Sequence, residues 1–144
     1  MRPELELVQQ WLQRDEIDLR SATVDLAAEP AITDDACFHC QQAAEKILKA
    51  FLVYHAVEFE HTHQVERLIR QGEGITPAFA ELHEQADRLT DYAVRFRYPY
   101  PGPAPDLKQA RQALAVARGV WDFVVARLPQ EVVPSDWPNL GRDG

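Results

Sequence analysis

The sequence predicts an all-α fold, an antiparallel up-and-down bundle of four long helices plus one short helix. Two observations predict it. Apolar residues recur in steps of three and four over long stretches, and no stretch alternates apolar with polar residues for long enough to make a strand. A third, the length of 144 residues with 46% hydrophobic and 26% charged side chains, suits one globular domain that needs no disulfide or metal to fold.

Leu5, Val8 and Leu12, then Leu19, Ala22 and Leu26, mark one face of a first helix, and Asp15 stands in the slot that the series leaves open. Glu29 to Asp35 separates this helix from the next, with Pro30 as breaker and Thr33 or an Asp available as N-cap. The second series is Cys37, Cys40, Ala44, Ile47 and Phe51. Ala36, Ala43, Leu48 and Leu52 widen its stripe, which points to a central helix and to more apolar surface than one bundle uses. The pattern breaks after His55, and a short helix is expected from about His63 to Gln71, ending at Gly72 and Gly74.

Thr76-Pro77 starts the next helix, because Pro at the first helical position loses no needed donor. Its face reads Phe79, Leu82, Ala86, Leu89, Ala93 and Phe96, and it stops at Pro99, within a run from Tyr98 to Pro105 that is too rich in proline to be helical. The last helix carries Leu107, Ala110, Leu114, Ala117, Trp121, Val124 and Leu128. Residues 1–128 thus read as one domain, and 129–144 as a Pro-rich tail, loose or strapped to the bundle.

The chain has 23 acidic and 15 basic side chains, a net charge of −8. Its long-range field repels phosphate, so DNA is not expected as a partner and any phosphate site must be local. No stretch approaches the roughly 18 apolar residues that a membrane span needs, and the amino terminus runs into a charged pattern unlike a signal peptide. A cytoplasmic protein is expected.

Three constellations bear on chemistry. Cys37-x-x-Cys40 with His39, His61 and His63 has the residue types of a zinc site. The cysteines lie inside a helical run, though, and the histidine pair is spaced by one, so core packing is the better account and no metal or other cofactor is expected. Ser21 and Ser135 sit in no nucleophile turn, and Gly72-Glu73-Gly74 lacks the form of a phosphate loop. Arg88, Asp91, Tyr92, Arg95, Arg97 and Tyr98 cluster at the end of the fourth helix. Arginines there suit phosphate and tyrosines suit base stacking, while the same residues also serve to complement a helix dipole and close a bundle end. Lys46 and Lys49 add positive charge, and Glu45 with Lys49 also makes an ordinary helix pair.

The run Phe38 to Leu52, with Gln41-Gln42-Ala43-Ala44-Glu45-Lys46 at its centre and Thr62-His63 following, closely resembles the HEPN domain (higher eukaryotes and prokaryotes nucleotide-binding). Trp11-Leu12, Asp18-Leu19 and Ala22 agree with it, as do Leu89-Thr90-Asp91-Tyr92-Ala93 and Arg97-Tyr98-Pro99, over roughly residues 8–127. The resemblance implies an all-α bundle, frequent homodimerisation, and a toxin–antitoxin-like pairing with a minimal nucleotidyltransferase. It also implies, for many members, metal-independent ribonuclease activity carried by Arg, four to six residues, then His. This chain has no arginine preceding a histidine at that spacing; Arg95 with Tyr100 is the nearest echo, and a tyrosine of pKa about 10 is a poor proton shuttle.

The expectation is therefore a nucleotide- or RNA-phosphate-binding protein without catalytic residues, using Arg95, Arg97, Tyr98 and Asp91 with Lys46, Lys49 and His63. A ribonuclease with a degenerate site and a helical adaptor that binds no ligand are the alternatives. The resemblance also implies a small apolar residue where Asp15 stands, so Asp15 is expected either to pair with a cation across the bundle or to lie at a wetter dimer seam.

Overall fold

The computed structural model of the chain describes residues 1–87, 89 and 103–135, and among these all regular structure is helical. Helix α1 spans Pro3–Ala27, opening on a proline with Glu4 and Glu6 in its first turn, where acidic groups complement the helix dipole. Its steps of three and four bury Leu5, Val8, Leu12, Leu19 and Ala22. The intervening loop is tied back by Ile32 N–H donating to the Asp25 carbonyl at 2.9 Å.

Helix α2 spans Thr33–Tyr54 and packs against α1, α3 and α4. Its N-cap is Ile32 and no side chain caps it, so Thr33 lies inside the helix rather than before it. The widened stripe is used within the chain: Ala36, Cys37, Cys40, Ala43, Ala44, Ile47, Leu48, Phe51 and Leu52 are all buried. Large apolar side chains left exposed on the long helices lie on α1, at Leu7, Ile17 and Val24, and in the first turn of the last helix, at Leu107.

At the end of α2, Val57 N–H bonds to the Leu52 carbonyl and Ala56 N–H to the Val53 carbonyl, the two bonds of a Schellman turn. Ala56 occupies its left-handed position at φ 56°, where a Cβ is strained by roughly 1–2 kcal/mol. Ala56→Gly is expected to raise stability by about 0.5–1 kcal/mol, less than the strain because glycine also gains entropy in the unfolded chain. Urea denaturation followed by circular dichroism measures it, and a lower midpoint would mean that the turn is not strained.

Helix α3 spans Val65–Glu73 and is capped by Gly74. The chain then enters Pro77–Leu82 as a 3₁₀-helix, where the sequence pattern predicts a regular α-helix, and becomes α-helical at 83–87. The tighter winding accompanies Phe79, which lies against Gly72 so closely that a Cβ there would stand 2.8 Å from the ring. Phe79 also packs on Phe51 at 4.6 Å and edge-on to Phe123 at 5.1 Å, joining three helical segments.

Helix α4 spans Leu107–Val125 and begins with a reciprocal cap: Asp106 accepts from Gln109 N–H, and the Gln109 side chain accepts from Asp106 N–H. It buries Ala110, Ala113, Leu114, Ala117, Val120, Trp121 and Val124. Leu107, expected on the seam, is exposed in the first turn. After Pro129 a short 3₁₀ turn, Gln130–Val132, brings Val132 into the core beside α1.

Candidate functional site

The α1–α2 interface carries most of the buried polar side chains. Asp15, Asp18 and Asp25 lie on α1 at steps of three and seven, and Gln41 and Glu45 lie one turn apart on α2. Asp18 and Glu45 are each met by a lysine and a histidine, whereas Asp15 meets an indole.

Asp15 is fully buried and accepts a hydrogen bond from Trp121 Nε1 at 3.0 Å, while its Oδ1 has no partner. Neither expectation for this residue describes it: its hydrogen-bonded partner is an indole on α4, with Lys46 acting only through its charge. Burial pushes its carboxyl well above the ordinary range, reinforced by the charge of Asp18 and opposed by Lys46 and the indole N–H.

Asp18 accepts from Lys46 Nζ at 2.7 Å and faces His39 Nδ1 at 2.9 Å. The His39 ring reaches Asp35 through Nε2 at 3.3 Å, and its pKa is raised chiefly by the Asp18 hydrogen bond, against the opposing effect of burial. Asp25 completes this end of the seam. Burial and then the neighbouring Asp35 carboxyl push it up to about 6.

Glu45 is the other hub. Lys49 Nζ lies 2.7 Å from Oε1, His63 Nδ1 lies 3.1 Å from the same oxygen, and Gln41 Nε2 donates to Oε2 at 3.0 Å. Gln41 also donates to the His63 carbonyl at 2.9 Å, which ties the loop before α3 to the middle of α2. A buried carboxylate facing an ammonium, an imidazole and an amide donor satisfies the condition for placing a charge in the interior.

Beside these hubs, Leu7, Gln10, Trp11 and Arg14 form one stripe of α1 at the spacing i, i+3, i+4, i+7, and with Lys46 they line an open groove of about 430 Å³. The Trp11 ring meets Phe59 edge-on at 5.6 Å, and Lys49 Nζ lies 5.2 Å from the centre of the Phe59 ring. Lys46 is already bound to Asp18, whereas exposed Arg14 has no carboxylate partner among the described residues. The groove thus combines an aromatic face, an available guanidinium and a nearby ammonium, a set that suits a planar ring bearing an anion.

The structure brings Lys46, Lys49 and His63 into one neighbourhood, each facing a carboxylate. Arg95, Arg97, Tyr98 and Asp91, with Arg88 and Tyr92, lie outside the described residues. Sequence reasoning passes over Arg14 and Gln10 and treats Trp11 only as part of a resemblance. The signal available is their shared helical face, which a search for apolar periodicity counts as the solvent side. Cys37 and Cys40 form no disulfide and are buried within α2, and burial pushes the Cys40 thiol up, so it behaves as a small hydrophobe. Among the described residues no helix is long and apolar enough to cross a membrane.

Comparison with known proteins adds one finding: a family model described as HEPN domain matches residues 8–128. No curated protein and no solved structure matches the chain.

Proposed function

Because the chain belongs to the HEPN domain family, we propose that it binds a nucleotide or an RNA phosphate and does not cleave it. The observation that carries this reading is the α1 groove, where Trp11 and the available Arg14 stand beside Lys46. Trp11 supplies a face for a base, and Arg14 supplies planar donors for a phosphate. The proposal also assigns Arg95, Arg97, Tyr98 and Asp91 to ligand binding, together with Lys49 and His63. A ribonuclease of the Arg-to-His type needs a proton-moving histidine four to six residues after an arginine, and the sequence contains none.

The whole molecule in this reading is an up-and-down bundle of four long helices, a homodimer in the cytoplasm, and one half of a toxin–antitoxin-like pair with a minimal nucleotidyltransferase. Native mass spectrometry of the protein purified gently from its own cells tests the pairing. A nucleotidyltransferase in fixed ratio supports it, and a bare homodimer removes it.

Binding is tested by fluorescence anisotropy with a labelled single-stranded RNA and a labelled adenine nucleotide at low salt. Trp11→Ala is expected to weaken binding about 5- to 150-fold, the equivalent of losing one stacked base. Arg14→Ala and Arg97→Ala should each weaken it and flatten its salt dependence, by about 0.7 in the log–log slope for each phosphate no longer neutralised. Unchanged affinity in Arg14→Ala and Trp11→Ala would remove the groove as the site, and unchanged affinity in Arg97→Ala would remove that arginine. No affinity in the parent protein would make it a helical adaptor, and RNA cleavage without added metal would make it a ribonuclease.

A further inference from the structure

At the far end of the α1–α2 seam, Asp25, Asp35 and His39 bring three ligand atoms within 4.8 Å of one another, the one such convergence of His, Cys, Asp and Glu among the described residues. We propose that these three side chains bind a divalent transition-metal ion such as zinc or manganese. The inference does not depend on nucleotide binding.

Four observations carry it. The first is the orientation of the imidazole. Asp18 faces His39 Nδ1 at 2.9 Å, and a carboxylate there holds the N–H on Nδ1, which presents the Nε2 lone pair to Asp35 and Asp25. Carboxylate–histidine–metal arrangements use the same device. The second is spacing: His39 Nε2 lies 3.3 Å from Asp35 Oδ2, and neighbouring ligands on bonds of about 2.0–2.1 Å in a tetrahedral shell stand about 3.3 Å apart.

The third is Asp25 itself, which is only 8% exposed and whose Oδ2 is buried without a hydrogen-bond partner. The His39 imidazole that opposes the charge of Asp25 is shared with Asp18 and Asp35, and the Asp35 carboxyl stands against Asp25 as well. Asp25 sits, moreover, in the last turn of α1, where the helix dipole opposes negative charge and no basic residue offsets it. Lys46 neutralises Asp18, so a divalent cation held by neutral His39 would balance Asp25 and Asp35 together.

The fourth is access. The three residues line an open groove of about 380 Å³ beside Arg20 and Ser21, so the ion has an entry path and room for further ligands. Three protein ligands with open positions is the pattern of metal sites that take water or substrate. One nitrogen and two oxygens suit zinc or manganese and disfavour a thiolate-seeking ion.

The test uses the full chain after chelator treatment and titrates it calorimetrically with zinc chloride and, separately, manganese chloride. One-to-one binding is expected, weakened at least tenfold in Asp35→Asn, a partly exposed change that leaves the core intact, and also in Asp25→Asn. His61→Ala should bind as the parent does. Cobalt(II) should give weak visible bands without a thiolate charge-transfer band, and should broaden the His39 ring resonances in proton NMR. Absence of stoichiometric binding, affinity unchanged by both aspartate substitutions, a thiolate band, or unbroadened His39 signals would each overturn the assignment. In that case the cluster is an internal ion pair only.

Discussion

Trp121→Ala lowers the unfolding free energy by about 3–5 kcal/mol, the range for emptying a buried large aromatic site. A domain of this size is held by roughly 5–15 kcal/mol, so the variant should melt far below the parent and be partly unfolded near 37 °C. The loss has two parts that a second variant separates. The ring fills the space between α4 and the rest of the core without exposure, and its N–H is the one hydrogen-bond donor to Asp15 among the described residues. Trp121→Phe keeps most of the packing and removes the donor, which leaves a buried carboxyl with no partner at a cost of about 1–3 kcal/mol. Urea denaturation of the two variants should therefore place Trp121→Phe between the parent and Trp121→Ala. Equal loss in both would mean that packing contributes little beyond the hydrogen bond.

Asp15→Asn should reveal the second large effect, a pH dependence of stability centred on one buried group. In the unfolded chain the Asp15 carboxyl ionises near 3.8, whereas in the folded chain burial holds it well above that value. Between the two values the folded chain keeps a proton that the unfolded chain has released, so stability declines as pH rises through that interval and stays lower above it. The groups facing Asp15 set the size of the effect: Asp18 on α1 and Glu45 on α2 increase it, and Lys46 on α2 and Trp121 on α4 reduce it. Asparagine keeps an acceptor for the indole and resembles the protonated acid. The variant should match the parent near pH 4 and exceed it at pH 8 by about 1–3 kcal/mol, the scale of the penalty for a poorly compensated buried polar group. Parallel stability curves from pH 4 to 8 would show that Asp15 is not the group responsible.

Much of this molecule is legible in its one-dimensional pattern. The steps Leu5, Val8, Leu12, Leu19 and Ala22, and the broader set from Ala36 to Leu52, coincide with the buried faces of α1 and α2. Apolar burial is the dominant force, and helical geometry turns it into a visible period. Local exceptions are not legible. The 3₁₀ turn at Pro77–Leu82 accompanies the seating of Phe79 against Gly72, seven residues earlier and on another element. Leu107 breaks the seam because the helix starts there, and a face is buried only along the length that meets a partner.

The candidate site divides in the same way. Lys46, Lys49 and His63 can be selected by residue type, because phosphate chemistry calls for cations. That each already faces a carboxylate cannot be read, since Asp18 lies 28 residues from Lys46 and Glu45 lies 18 from His63. Arg14 escapes notice in the sequence because a solitary surface arginine carries no pattern of its own. It acquires meaning from the Trp11 ring and the Lys46 ammonium that share its groove.

By itself, then, the sequence determined the all-helical class, the faces that α1, α2 and α4 bury, and membership of the HEPN domain family, because each of these depends on periodicity or on blocks of neighbouring residues. Only the tertiary structure decided that the Asp15 carboxyl would meet the Trp121 indole across 106 residues of chain, that His39 would stand among Asp18, Asp25 and Asp35, and that Glu45 would become a buried hub. The physical reason is that hydrophobic burial is non-directional and leaves a periodic trace, whereas hydrogen bonds and ion pairs are short-ranged and directional. Their partners are chosen only when packing brings distant helices to within about 3 Å.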